Sequence, residues 1–233
     1  MSIVKYYKFS FLLVLILLSC QPSLYRTENI PKTDDQLNDY INNLYQKLEL
    51  EDQLEFKIFR MAIVGFHHID IQKKDVISII DYSQPSTEKR FYLIDLVNNK
   101  LLYNTFIAHG VNSGENMATV FSNVPESRIS SIGFFITAET YMGDNGYSLR
   151  IDGIEKGINH NARERDIVIH KADYVSDIFI EKEGRLGRSW GCPALPNDVS
   201  HEIIDIIKEG TCIFVYGDDE SYLKISKFIE NQY

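Results

Sequence analysis

Cys192 sits in backbone that is unusual on both sides. In the run RLGRSWGCPALP (185–196), Gly191 precedes it, Pro193 follows it and Ser189 lies three residues upstream. The 233 residues include only three cysteines. A nucleophilic cysteine needs a managed thiol pKa, a base for its proton, and N–H donors for the oxyanion formed when sulfur attacks a carbonyl. Gly191 lets the chain bend tightly and present amides to a substrate. Pro193 has no N–H, which leaves the amides of Gly191 and Cys192, with Ser189 beside them, as the oxyanion donors.

Six histidines could supply the base. His170 closes DIVIH, where a strand hands over to a loop, a rigid support for a catalytic group. His109 closes NTFIAH ahead of Gly110 in the same way. His67 and His68 follow a helix, His160 lies in a polar loop and His201 is on a helix face, settings typical of surface or capping histidines. The histidines and cysteines lack zinc-ligand spacing, so neither a metal nor a cofactor is implied.

The elements that must hold these residues are mostly strands. VISIIDY, RFYLIDLVNNKLLYNTFIA, SSIGFFITAETY, YSLRIDGI, DIVIH and TCIFVY are β-branched and aromatic runs between polar turns, and Asn98-Asn99 suits a hairpin inside the second. Helices are predicted at the ends of the chain. Leu37, Tyr40, Ile41, Leu44, Tyr45 and Leu48 form one apolar stripe with Thr33 placed to cap it, and a second helix runs from about Glu51 to Gly65. A late helix spans Val199–Glu209, capped by Asn197 or Asp198 and stopped by Gly210, and residues 219–231 suit a short final one.

The first residues are set apart from the fold. Lys5 and Lys8 lead into a mostly apolar run from Phe9 to Leu18, too short for a comfortable membrane span and typical of an export signal. Leu17-Leu18-Ser19-Cys20 resembles the bacterial lipobox, whose cysteine becomes the lipid-bearing first residue of the mature protein. An uncleaved anchor or an ordinary signal with an incidental cysteine is the alternative. The chain therefore divides into a signal peptide (1–19), a polar tether (20–32), a helical segment (33–68) and a catalytic domain (69–233). This implies an exported bacterial lipoprotein on the periplasmic face of a membrane, and Gln21 after Cys20 favours the outer membrane. The net charge of −9 becomes −11 once Lys5 and Lys8 leave with the signal, which argues against nucleic acid as a partner. Cys212, inside an apolar strand, reads as a buried free thiol in preference to a disulfide partner of Cys192.

IVIH (167–170) and GRSWGCPALP (187–196) resemble the paired motifs of the YkuD-like L,D-transpeptidase catalytic domain, and residues 106–175 resemble a lipoprotein branch of it. The resemblance covers roughly residues 35–217. It implies a mainly β fold, a β-sandwich with N-terminal helices and a late helix, α+β overall. It further implies Cys192 as nucleophile, His170 as its base oriented by a backbone carbonyl, Gly191 and Cys192 amides as oxyanion donors, and Ser189 shaping the turn. The substrate implied is the peptidoglycan stem peptide. The chain departs from the family in having Trp190 where a histidine is usual, Pro193-Ala194 where an arginine follows the cysteine, and Lys171 where glycine follows the base. Arg188, Arg165 or Arg163 then supplies a cation for a substrate carboxylate, or else forms an ordinary surface ion pair. Trp190 would be a wall of the site, and His109 and Tyr174 complete the expected substrate-binding set. An L,D-carboxypeptidase, another cell-wall cysteine amidase and a silent lipid-anchored binding protein are the competing readings.

Overall fold

The computed structural model describes residues 34–69 and 75–229. Thr33, Cys20, the signal peptide and the tether lie outside the described residues. The strands are β1 (Val76–Asp81), β2 (Phe91–Asp95), β3 (Lys100–Thr105), β4 (Gly133–Gly143), β5 (Gly146–Gly153), β6 (Val168–Lys171), β7 (Ala194–Leu195) and β8 (Cys212–Tyr216). They form one sheet in the order β3-β2-β1-β8-β4-β5-β6-β7. The β1–β8 and β6–β7 pairs are parallel and the others antiparallel. Beyond β3 the chain leaves one edge of the sheet, and Ala108 bridges to Ala194 at the other edge. The sheet thus curls into a near-barrel, and with its helices the fold is α+β.

β1 and β8 sit at the centre of the sheet, and all of β8 is buried. This is why their sequences read as unbroken apolar runs. The helix α2 (Phe56–His68) packs on both strands and on α1 (Asp34–Lys47). Eight of its residues, from Ile58 to Phe66, are buried, as befits a helix enclosed on more than one side. It begins later than the pattern predicts because residues 51–54 form a turn, in which the N–H groups of Gln53 and Leu54 donate to the Leu50 carbonyl at 2.9 and 3.0 Å. It also takes His67 and His68 into its last turn.

Two elements near the site were not anticipated: β7 and the helix α3 (Asp177–Glu183), which lies in the crossover between β6 and β7. Ser176 accepts from the Phe179 N–H at the start of α3, and Gly184 closes it in the left-handed region. The helix α4 (Asn197–Ile207) has Pro196 at its N-cap position with no side-chain cap, so Asn197 and Asp198 sit inside the first turn and do not cap it. The last helix, α5 (Glu220–Ile225), is shorter than predicted and is capped by Asp219.

Gly65 is needed where α2 crosses the sheet, because a Cβ there would lie 1.9 Å from the Phe134 ring, itself stacked on Phe214 at 4.5 Å. Gly65→Ala should gain about 1 kcal/mol of helix propensity and lose roughly 1–3 kcal/mol to overpacking. The expected outcome is a thermal midpoint lower by a few degrees. A raised midpoint would show that the Phe134 ring can move aside.

Candidate active site

The short parallel pairing of β6 with β7 assembles the site. His170 lies opposite Ala194, and its N–H donates to the Pro193 carbonyl at 3.4 Å. Cys192 stands two residues before Ala194 on the neighbouring segment, with its thiol against the Val168 N–H of β6. The His170 side chain is buried. Its Nδ1 meets the Lys171 carbonyl at 2.8 Å. A carbonyl only accepts, so Nδ1 carries the hydrogen and Nε2 is left as the basic nitrogen. Among the described residues Nε2 has no hydrogen-bond partner. The Cys192 thiol accepts from the Val168 N–H at 3.4 Å and donates to the Asp166 carbonyl at 3.5 Å, both long sulfur contacts.

A cradle of serines and glycines shapes the turn before the nucleophile. Ser189 Oγ donates to the Cys192 carbonyl at 2.6 Å and accepts the Gly191 N–H at 3.1 Å. The Ser189 N–H donates to the His109 carbonyl at 2.9 Å. Gly191 has φ +120°, a conformation that disfavours side chains. Gly110 passes so close that a Cβ on it would lie 2.9 Å from the Gly191 Cα. Ser130 joins the two segments, accepting from the Gly110 N–H at 2.9 Å and donating to the Gly191 carbonyl at 3.4 Å. The oxyanion expectation changes accordingly. The Gly191 N–H is committed to Ser189, and Cys192 holds the one amide of the expected pair without an acceptor among the described residues.

Both reactive groups favour their neutral forms. Burial pushes the Cys192 thiol above its ordinary value, against the Val168 N–H and the Arg165 cation, which pull it down. Burial holds His170 below the usual imidazole range, opposed by the Lys171 carbonyl. The resting pair is therefore thiol and imidazole. Cys192 and Cys212 are both free, and Cys212 is buried in β8.

Of the cations expected near the thiol, Arg165 is the one turned towards the turn. Its guanidinium donates to the Ser122 and Ile129 carbonyls, each at 2.6 Å, and to the hydroxyls of Ser131 at 2.5 Å and Ser127 at 3.2 Å. One of its terminal nitrogens comes within 3.6 Å of where a Gly191 Cβ would stand. Arg188 is committed elsewhere, to Glu115 at 2.8 Å and the Gly114 carbonyl at 3.0 Å. Arg163 is bound to Glu139 and Asp152 on the surface. Tyr174 is near enough for the Cys192 charge to help burial raise its hydroxyl to about 12, and it packs flush against Gly187.

His109 corrects the expected substrate-binding set. It is fully buried, with Nδ1 accepting from the Arg90 guanidinium at 2.8 Å and Nε2 facing the Gly114 carbonyl at 3.3 Å. Burial and then the Arg90 cation lower it to about 4. It braces the turn through its own carbonyl and is out of reach of a substrate. Arg90, also fully buried, was hidden at the head of a strand-like run. Trp190 is 72% exposed, and Arg128, which carries no signal in the sequence, lies over its ring at 4.3 Å. Both line an open cleft of about 800 Å³ together with Arg165 and Asp166.

A thiol and an imidazole with a defined basic nitrogen, held on paired segments beside an open cleft, can perform nucleophilic acyl transfer. The chain belongs to the L,D-transpeptidase catalytic domain family, whose sequence model matches residues 50–216. Solved structures similar to it include an L,D-transpeptidase from Mycobacterium smegmatis, 13% identical over 62% of this chain and 60% of that one, with a TM-score of 0.38. Others are the helical cell shape determining protein Pgp2 from Campylobacter jejuni (15%, 65% and 50%, TM-score 0.39) and an L,D-transpeptidase from Stackebrandtia nassauensis (13%, 77% and 77%, TM-score 0.38). The chain spans about three fifths of the length of the first and half that of the second. No curated protein sequence matches it.

The neutral resting pair predicts the pH course of alkylation. Iodoacetamide labelling, followed at the peptide containing Cys192, should rise with pH along a single curve whose midpoint lies above the ordinary thiol value of 9.0. Arg165→Gln should move that midpoint higher still, and Arg165→Lys should restore part of the shift. A plateau of fast labelling between about pH 5 and 8, the mark of a thiolate–imidazolium pair, would contradict the assignment.

Proposed function

We propose that the protein is a peptidoglycan L,D-transpeptidase working through a Cys192 thioester. The observation that carries this reading is the His170 Nδ1–H bond to the Lys171 carbonyl, which leaves Nε2 basic one pleat away from Cys192. For attack, the thiol leaves the Asp166 carbonyl and turns towards Nε2, which takes its proton. Sulfur adds to the carbonyl carbon of the third stem residue, and the Cys192 N–H is positioned to receive the developing oxyanion. As the tetrahedral intermediate collapses, His170 gives the proton to the departing D-alanine amine and a thioester remains. An acceptor amine from a neighbouring stem then attacks the thioester, losing a proton to His170, and the thiol is regenerated. The same intermediate yields L,D-carboxypeptidase activity when water is the acceptor.

The lipobox-like Cys20 and the polar tether complete the proposal with an exported lipoprotein acting on the cell wall from the periplasmic face of a membrane, with the outer membrane favoured by Gln21. No cofactor takes part in the scheme. The test is mass spectrometry of products after incubation with a purified disaccharide-tetrapeptide, beside Cys192→Ala. Dimers joined through third residues, absent from the variant, are the expected result. Free D-alanine without dimers would replace the transpeptidase with the carboxypeptidase. No reaction from protein with a titratable Cys192 thiol would contradict the substrate assignment.

A further inference from the structure

Two arginines, Arg128 and Arg165, line the cleft, and Arg165 is already engaged by carbonyls and hydroxyls. Arg128 differs. Among the described residues its guanidinium has neither a carboxylate nor a carbonyl partner, and its one contact of note is the face of Trp190 at 4.3 Å. A guanidinium lying on an aromatic face keeps its N–H donors at its edge, free to meet a planar anion in two parallel hydrogen bonds. Trp190 supplies a flat apolar wall two residues before the nucleophile.

The backbone holds this arrangement under strain. Arg128 has φ +57°, and Glu126 and Asp166, which also line the cleft, have φ +59° and +50°. Among the described residues, three of the six non-glycine residues with positive φ thus line a single cleft, and such strain persists where surrounding structure enforces it at working sites. Here the Arg128 carbonyl accepts the Asn112 N–H at 3.1 Å and lies against Gly110, where a Cβ would come within 2.6 Å of it. The other charged groups of the cleft divide its surface. Glu126, Glu164 and Asp166 are acidic and Arg165 is engaged by carbonyls and hydroxyls, so Arg128 is the cation of the cleft left open to an anion among the described residues.

We propose that Arg128, stacked on Trp190, is the anchor for the free C-terminal carboxylate of a peptide substrate whose last peptide bond lies at Cys192. This rests on the peptide acyl-transfer reading above and adds a specificity to it. A carboxylate held there restricts attack to the bond before the terminal residue, and a peptide ending in a neutral group loses the anchor.

Trp190 is the chain's single tryptophan, so intrinsic fluorescence reports directly on this site. The experiment uses the full chain carrying Cys192→Ala, which binds without turnover, titrated with a stem tetrapeptide ending in D-alanine and with its C-terminal carboxamide. The free acid should change the Trp190 emission and bind at least tenfold more tightly than the amide. Adding Arg128→Gln should remove that preference at an unchanged thermal midpoint, and Arg128→Lys should retain part of it. Equal affinities for acid and amide, no binding of either, or an undiminished preference in Arg128→Gln would each overturn the anchor. Because binding is read without catalysis, these outcomes stand apart from a failure of acyl transfer, which the product analysis detects independently.

Discussion

The site depends on a parallel strand pair only two residues long. Pairing of His170 and Lys171 with Ala194 and Leu195 is the contact that brings the base beside the nucleophile, although 22 residues separate them in sequence. Such a short parallel ladder is weak by itself. It is reinforced at its free edge by the Ala108–Ala194 bridge and by the Gly110–Ser189 bridge, which tie β7 and its approach to the segment beyond β3. Closure of the sheet and assembly of the site are therefore one event. The serines of the cradle and the close passage of Gly110 over Gly191 then fix the angle at which Cys192 emerges.

Two of the cations around this turn, Arg90 and Arg165, are held without a carboxylate hydrogen-bond partner among the described residues. Arg90 is fully buried against carbonyls, His109 and the Tyr82 ring, and Arg165 is held by hydroxyls and carbonyls alone. Cations satisfied by neutral acceptors keep their field, where a carboxylate partner would cancel most of it. Arg165 applies that field to the thiol, and burial works against it. The result is a thiol that burial holds in its neutral form. In place of an acid, a backbone carbonyl orients the imidazole, which leaves its basicity set by burial.

The candidate nucleophile and base could be singled out in sequence because their signals are local. Gly191, Cys192 and Pro193 announce a strained turn, and His170 follows the apolar run Ile167-Val168-Ile169. The strands were legible for the same reason, each being a β-branched run between turns. What could not be read depends on pairing across the fold. His109 and His170 look alike in sequence, each closing a strand-like run, and only the packing of Arg90 distinguishes the buried brace from the base. Arg128 lies in a long irregular segment 62 residues before Trp190 and carries no local signal of its partner. β7 has two residues and no pattern of its own, and α3 announced itself only through Ser176 and Gly184.

Acyl transfer through sulfur at Cys192, with His170 as the base, would leave a transient thioester on the protein. The most direct measurement is intact-protein mass spectrometry of a reaction with the tetrapeptide stem, quenched in acid within its first turnovers and followed by peptide mapping. The account predicts a mass gain equal to the stem minus its terminal D-alanine, carried on the peptide containing Cys192 and absent from that containing Cys212. In His170→Ala the adduct should form far more slowly. Product formation with no adduct on Cys192, or an adduct that forms equally fast without His170, would contradict the account.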